Sequence, residues 1–234
     1  MLLGASASPT PLVVQPDAAI QRDIAAVAAA KNAAELEAPL NRLRRAAQPD
    51  AAALMPQLVY FSMRSRDVRE GMAAGVVIRE LGITREEQLQ GLAPYLGTTD
   101  LALARELRNF LGNLDDASAR TPPDFRHYQP LLRARIAEPP IVLVQYMLET
   151  APDQGLDTLT EAWVIDASRR TALLSARGTK SAAELERLAG DEEWWVRLYV
   201  AERLRQDPSL RSPSLLRRLL ADPNPLVRAS IASP

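Results

Sequence analysis

The sequence contains no cysteine and a single histidine, His127. Without a thiol there is no disulfide framework, no thiolate nucleophile, and no Cys-ligated zinc or iron–sulfur cluster. Any histidine-dependent chemistry has to run through His127 alone. The compartment stays open, because a chain without cysteine suits reducing and oxidising surroundings alike. Only 10 glycines occur, and none form G-x-G-x-x-G or a Walker loop, so the common phosphate-cradling motifs are excluded. Alternating β-branched runs are nearly absent, which removes the strand signal. No apolar stretch approaches the roughly 20 residues of a membrane-spanning helix. Aromatic residues make up only 5% of the chain, so its apolar surface is mostly Leu, Ala and Val.

What is present reads as helix. The chain has 234 residues, 24% of them charged, and a formal net charge of −1. That is an ordinary composition for a water-exposed fold. Residues 1–16 carry three prolines and little periodicity, and read as an extended lead-in. Within it Met1-Leu-Leu-Gly-Ala-Ser-Ala resembles the back end of a secretory signal without its basic region. On that reading the protein is periplasmic or secreted. If the segment is only a flexible Ala/Ser tail, it is cytoplasmic.

From Asp17 onward, capping residues and Leu spacing mark successive helices. Asp17 and Asn32 stand at the starts of the first two, each placed to accept from free first-turn amides. Helices follow over 51–63, from Asp67 to Gly82, from Thr84 (with Glu87 completing a capping box) to Leu96, and from Asp100 to Leu114. Asp67 and Asp100 are 33 residues apart in equivalent positions, within the period range of helical-pair repeats. Residues 115–123 read as loop. Helices are predicted over 124–137 and 139–150, then over a less regular segment from 152 to 178 that splits near Asp166. Two final pairs span 181–206 and 212–232.

The last two pairs are one pattern written twice. Asp191-Glu-Glu-Trp-Trp-Val-Arg197 and Asp222-Pro-Asn-Pro-Leu-Val-Arg228 each place an Asp six residues before an Arg, with Val immediately preceding it. A Leu-rich helix precedes each copy, and an apolar-Ala step, Val200-Ala201 or Ile231-Ala232, follows it. These features resemble HEAT-type helical repeats, and the C-terminal copies also resemble the leucine-rich repeat variant. The match is good over 181–234. Over 50–115 it rests on helix-pair period alone, because the Arg is absent six residues past Asp67 and Asp100.

The resemblance implies an all-α, right-handed α–α superhelix of about six helical pairs over 17–234, with the second helix of each pair on the concave face. It also implies a structural ladder in which Asp191, Arg197, Asp222 and Arg228 meet through charge-assisted hydrogen bonds. The variant family's clustered cysteines are missing, so no cofactor is carried over. The last helix is barely two turns long. That leaves two readings: an array cut short, or an end covered by a partner in end-on association.

Few residues point to chemistry. His127 has no Ser/His/Asp order or metal-ligand spacing around it and reads as a packing or surface residue. The pairs Glu86-Glu87, Asp115-Asp116 and Glu192-Glu193 sit near helix starts or in a loop, where the helix dipole and solvation account for them. Seven Arg against three acids within 197–228 suggest a phosphate-contacting face. Acids at 184, 186 and 191–193 dilute it, however. Trp194-Trp195 is the most unusual dipeptide. Neighbours on a helix point about 100° apart, so one ring is expected in the core and the other partly exposed. With Tyr199 and Arg203 on the same helix, off its Val196/Val200/Leu204 core stripe, these residues form the expected partner-contact patch.

The sequence therefore predicts a non-enzymatic interaction scaffold, with no catalytic, cofactor or metal site, that binds a protein or peptide on its concave face. Two alternatives follow from resemblance alone: a nucleic-acid-binding protein like the HEAT-like DNA glycosylases, and a bilin-lyase-type HEAT protein.

Overall fold

The computed structural model describes residues 16–64, 67–115, 123–135, 137–164 and 166–232. The secretory-signal reading of Met1–Ala7 and most of the 115–123 loop lie outside these. The protein is all-α: among the described residues there are fourteen α-helices, four short 3-10 turns and no strand. The sequence reading expects one array through 17–234. By its contacts the chain divides into two compact units, Met1–Thr98 and Thr99–Pro234.

The first unit holds α1 (Ala18–Ala29), α2 (Ala33–Ala46), α3 (Met55–Arg64), α4 (Val68–Glu80) and α5 (Arg85–Leu92). Helix α1 packs on α2 and α4, and α3 packs on α4 and α5. The Leu and Ile positions that set the helical period, Ile24, Leu43, Leu58 and Leu92, are in the core. Helix α4 departs from its expected Val68/Met72/Val76/Leu81 face: it buries Ala73, Ala74 and Val77 and leaves Val68 and Met72 exposed. Asn32 accepts from the Glu35 amide, Asp67 from the Arg69 amide, and Thr84 and Glu87 form the reciprocal box. Asp17 departs from expectation: its side chain caps nothing, and its own N–H donates to Gln57 Oε1 at 2.9 Å. Gly82 ends α4 at φ +65°, a left-handed conformation that a side chain would strain. Buried Asp23 is matched by Arg42, whose Nε donates to it at 2.8 Å.

The second unit holds α6 (Leu101–Leu114), α7 (Gln129–Ala134), α8 (Ile141–Thr150), α9 (Pro152–Trp163), α10 (Ala167–Ser175), α11 (Ala182–Leu188), α12 (Trp194–Gln206), α13 (Pro213–Leu220) and α14 (Pro225–Ala232). The split near Asp166 appears as the α9–α10 junction, with Asp166 capping α10. The helix expected over 124–137 is shorter, because Arg126–Tyr128 form a 3-10 turn and only Gln129–Ala134 are α-helical. Phe125 and Tyr128 are pulled fully into the core there, against Tyr146 of α8.

Helix α12 is the hub of this unit. It packs on α8, α9, α11 and α14, so apolar residues are buried around most of its circumference. That explains why its sequence lacks a clean apolar stripe.

Candidate functional site

The groove at the start of α12 is built by three junctions. Trp163 closes α9, Asp166 and Arg169 open α10, and Glu193, Trp194 and Trp195 open α12. Pro139 and Val164 complete a cavity of about 270 Å³. All 3 tryptophans of the chain line it. Nothing in the sequence announces this convergence, since Trp163 is some thirty residues from the other two.

The two neighbouring rings divide as the helical geometry requires. Trp195 is 2% exposed and meets Trp163 edge to face, with centroids 6.2 Å apart. Trp163 is fixed in turn by its indole N–H, which donates to the Leu132 carbonyl at 2.9 Å. Trp194 remains half-buried at the groove's rim. The floor is therefore rigid, and one ring stays accessible above it.

The groove's charges are unequally satisfied. Arg169 donates to Asp191 at 2.7 Å and also pairs with Glu192, so its charge is spent within the fold. The Asp166 carboxylate accepts from the Ser168 hydroxyl and the backbone amides of Ser168 and Arg169. The Ser168 bonds, more than the Arg169 contact, hold its carboxyl below the usual carboxylate range. Glu193 neither caps α12 nor pairs with any cation among the described residues.

The expected patch of Trp194, Trp195, Tyr199 and Arg203 is not assembled as one surface. Tyr199 is fully buried, and its hydroxyl donates to Asp153 Oδ1 at 2.8 Å. Burial first, and then the neighbouring Asp153 charge, push that phenol far above its ordinary value. The Gly178 amide donates to the same Asp153 oxygen at 3.1 Å. Arg203 is 16% exposed and pairs with Asp153 at 3.4 Å. Asp153 at the start of α9 thus turns both residues inward. A position off the Val196/Val200/Leu204 stripe does not mean solvent on a helix packed by four others.

The ladder residues meet as a connected series. The Arg197 guanidinium grips Asp222 through Nε at 2.7 Å and Nη2 at 3.1 Å, and its Nη1 donates to the carbonyls of Asp191 and Glu192. Arg228 repeats the second arrangement on the carbonyls of Asp222 and Pro223. Asp191 and Asp222 each also accept the amide two residues ahead. Arg169 is an earlier rung that the sequence reading missed: it meets Asp191 through one nitrogen, where Arg197 grips Asp222 with two. Its signal was the Asp166–Arg169 pair at a helix start, 28 residues before Arg197, without the Val-Arg step.

Elsewhere, His127 Nε2 lies 3.2 Å from Asp115 Oδ1, with its ring against Tyr128. Among the described residues no cluster of His, Asp or Glu could hold a metal ion. No helix there is long and apolar enough to cross a membrane. Comparisons with family models, curated proteins and solved structures match nothing.

Proposed function

We propose that this protein is a non-enzymatic interaction scaffold of HEAT-type helical repeats, and that the tryptophan groove is where it holds a protein or peptide partner. One observation carries the reading. In a chain with very few aromatics, all three tryptophans converge on one groove, and Trp194 is left half-exposed over a rigid floor. Tryptophans in such settings are enriched among residues that dominate binding energy. The size of the groove favours a side chain of a partner over a cofactor, since about 270 Å³ falls below the ~300–1,000 Å³ of small-molecule sites.

The arginines support a protein partner over nucleic acid. All seven between 197 and 228 donate to a carboxylate or a backbone carbonyl: Arg197 to Asp222, Arg203 to Asp153, Arg205 to Glu202, and Arg211, Arg217, Arg218 and Arg228 to carbonyls. A phosphate-binding face keeps such donors available.

The test is affinity capture from native extract with wild type, Trp194→Ala and an exposed control, Met72→Ser. The reading predicts that a partner retained by wild type and by the control is lost with Trp194→Ala, while all three proteins unfold at similar temperatures. Equal recovery by Trp194→Ala overturns it.

A further inference from the structure

We infer that the groove takes the side chain of an arginine presented by the partner. This rests on the scaffold reading above and deepens it by naming the chemistry of the contact. Three observations converge on it.

The first is the unspent negative charge. Arg169, the one cation among the described residues that line the groove, is already held by Asp191 and Glu192. Against it stand Asp166 and Glu193, and the Glu193 carboxylate caps nothing and pairs with no cation among the described residues. A carboxylate left unpaired beside two indoles is placed to receive a cation. An acidic partner side chain would meet like charges there, which is costly in a confined site.

The second is the aromatic lining. Indole is the best ring for attracting a cation to its face. Trp195 and Trp163 are locked edge to face, so the floor does not rearrange when occupied. Trp194, half-buried at the rim, offers a ring that a planar cation can stack on.

The third is shape. A guanidinium is flat, weakly hydrated and forked, so it can lie against an indole while donating two N–H groups to one carboxylate. An ammonium is a strongly hydrated point charge and gives up more on entering an aromatic groove. Purely apolar or proline-rich segments would use the rings and leave Glu193 desolvated without a partner, a loss for any binder.

The experiment uses the full chain and host peptides of Gly and Ser with one central Arg, Lys, Gln, Leu, Pro or Glu, read by tryptophan fluorescence. The Arg peptide is expected to bind about tenfold or more tightly than the Gln peptide, the scale of a charge-assisted hydrogen bond. Glu193→Gln should remove most of that preference, and Trp194→Ala should abolish the fluorescence response. A Leu, Pro or Glu peptide that binds as tightly as the Arg peptide overturns the inference. So does an Arg preference unchanged in Glu193→Gln, or no binding by any peptide. The scaffold reading fails separately, if partner capture proves indifferent to Trp194.

Discussion

The guanidinium of Arg197 joins two copies of the same motif: it grips Asp222 by two parallel hydrogen bonds, 25 residues ahead, while its third nitrogen holds the carbonyl of Asp191 behind it. Both side chains are nearly buried, at 11% and 4% exposure. Breaking such a pair leaves a charge with no counterpart, at about 3–5 kcal/mol. Arg197→Met should therefore lower stability by that order in urea unfolding. Pairing it with Asp222→Asn, which keeps an oxygen for the Asn224 amide, should recover part of the loss. A double variant no more stable than Arg197→Met would contradict the coupling.

Arg169 contacts Asp191 one rung earlier by a single bond and is more exposed, and its second partner, Glu192, is largely in solvent. Solvent screening discounts that half of the interaction. Arg169→Met is expected to cost clearly less than Arg197→Met in the same measurement.

Two glycines in the first unit should respond oppositely to alanine. A Cβ on Gly91 would stand 2.4 Å from the Ala52 carbonyl oxygen and 2.5 Å from the Met55 Cβ, so α5 would have to move off α3 and the turn before it. Gly91→Ala should destabilise by about 1–3 kcal/mol. Gly75 lies inside α4 with open space around it, and Gly75→Ala should stabilise by up to ~1 kcal/mol through helix propensity. Thermal unfolding of both variants checks the pair.

Asp115 makes an acid-sensitive joint. Burial pushes its carboxyl up, but the His127 ring 3.2 Å away and the hydroxyls that Tyr146 and Tyr128 donate outweigh that and hold it below the usual value. A depressed native pKa means the folded state binds fewer protons than the unfolded one. The stabilisation is thus present above the unfolded value of about 3.9 and is lost as pH falls through the native value. Asp115→Asn should flatten stability between pH 5 and the acid limit, while wild type falls there. Parallel pH profiles would contradict this.

Much of the fold was legible because it is written locally. Asn32, Asp67, Thr84 with Glu87, and Gly82 each act within four residues of their own position, so helix starts and stops were predictable from neighbours in sequence. The 124–137 segment was not, because burying Phe125 and Tyr128 against Tyr146 is a tertiary demand that overrides helical spacing. The ladder was legible in part, since Asp191 and Asp222 repeat with their arginines. The resemblance left open whether each Asp meets the Arg of its own or of a neighbouring copy, and the packing of α12 on α14 joins Arg197 to Asp222. The site was the least legible. Tyr199 and Arg203 looked available until Asp153, about fifty residues away, claimed both, and nothing near Trp194 announces that Trp163 lies beside it.

If the tryptophan groove holds the partner, Trp194 is the accessible ring that binding covers. Hydroxyl-radical footprinting of the protein, free and with its captured partner, reads this at single-residue level. Trp194 should be oxidised in the free protein and protected in the complex, while buried Trp195 reacts little in either state. Equal oxidation of Trp194 with and without the partner would contradict it.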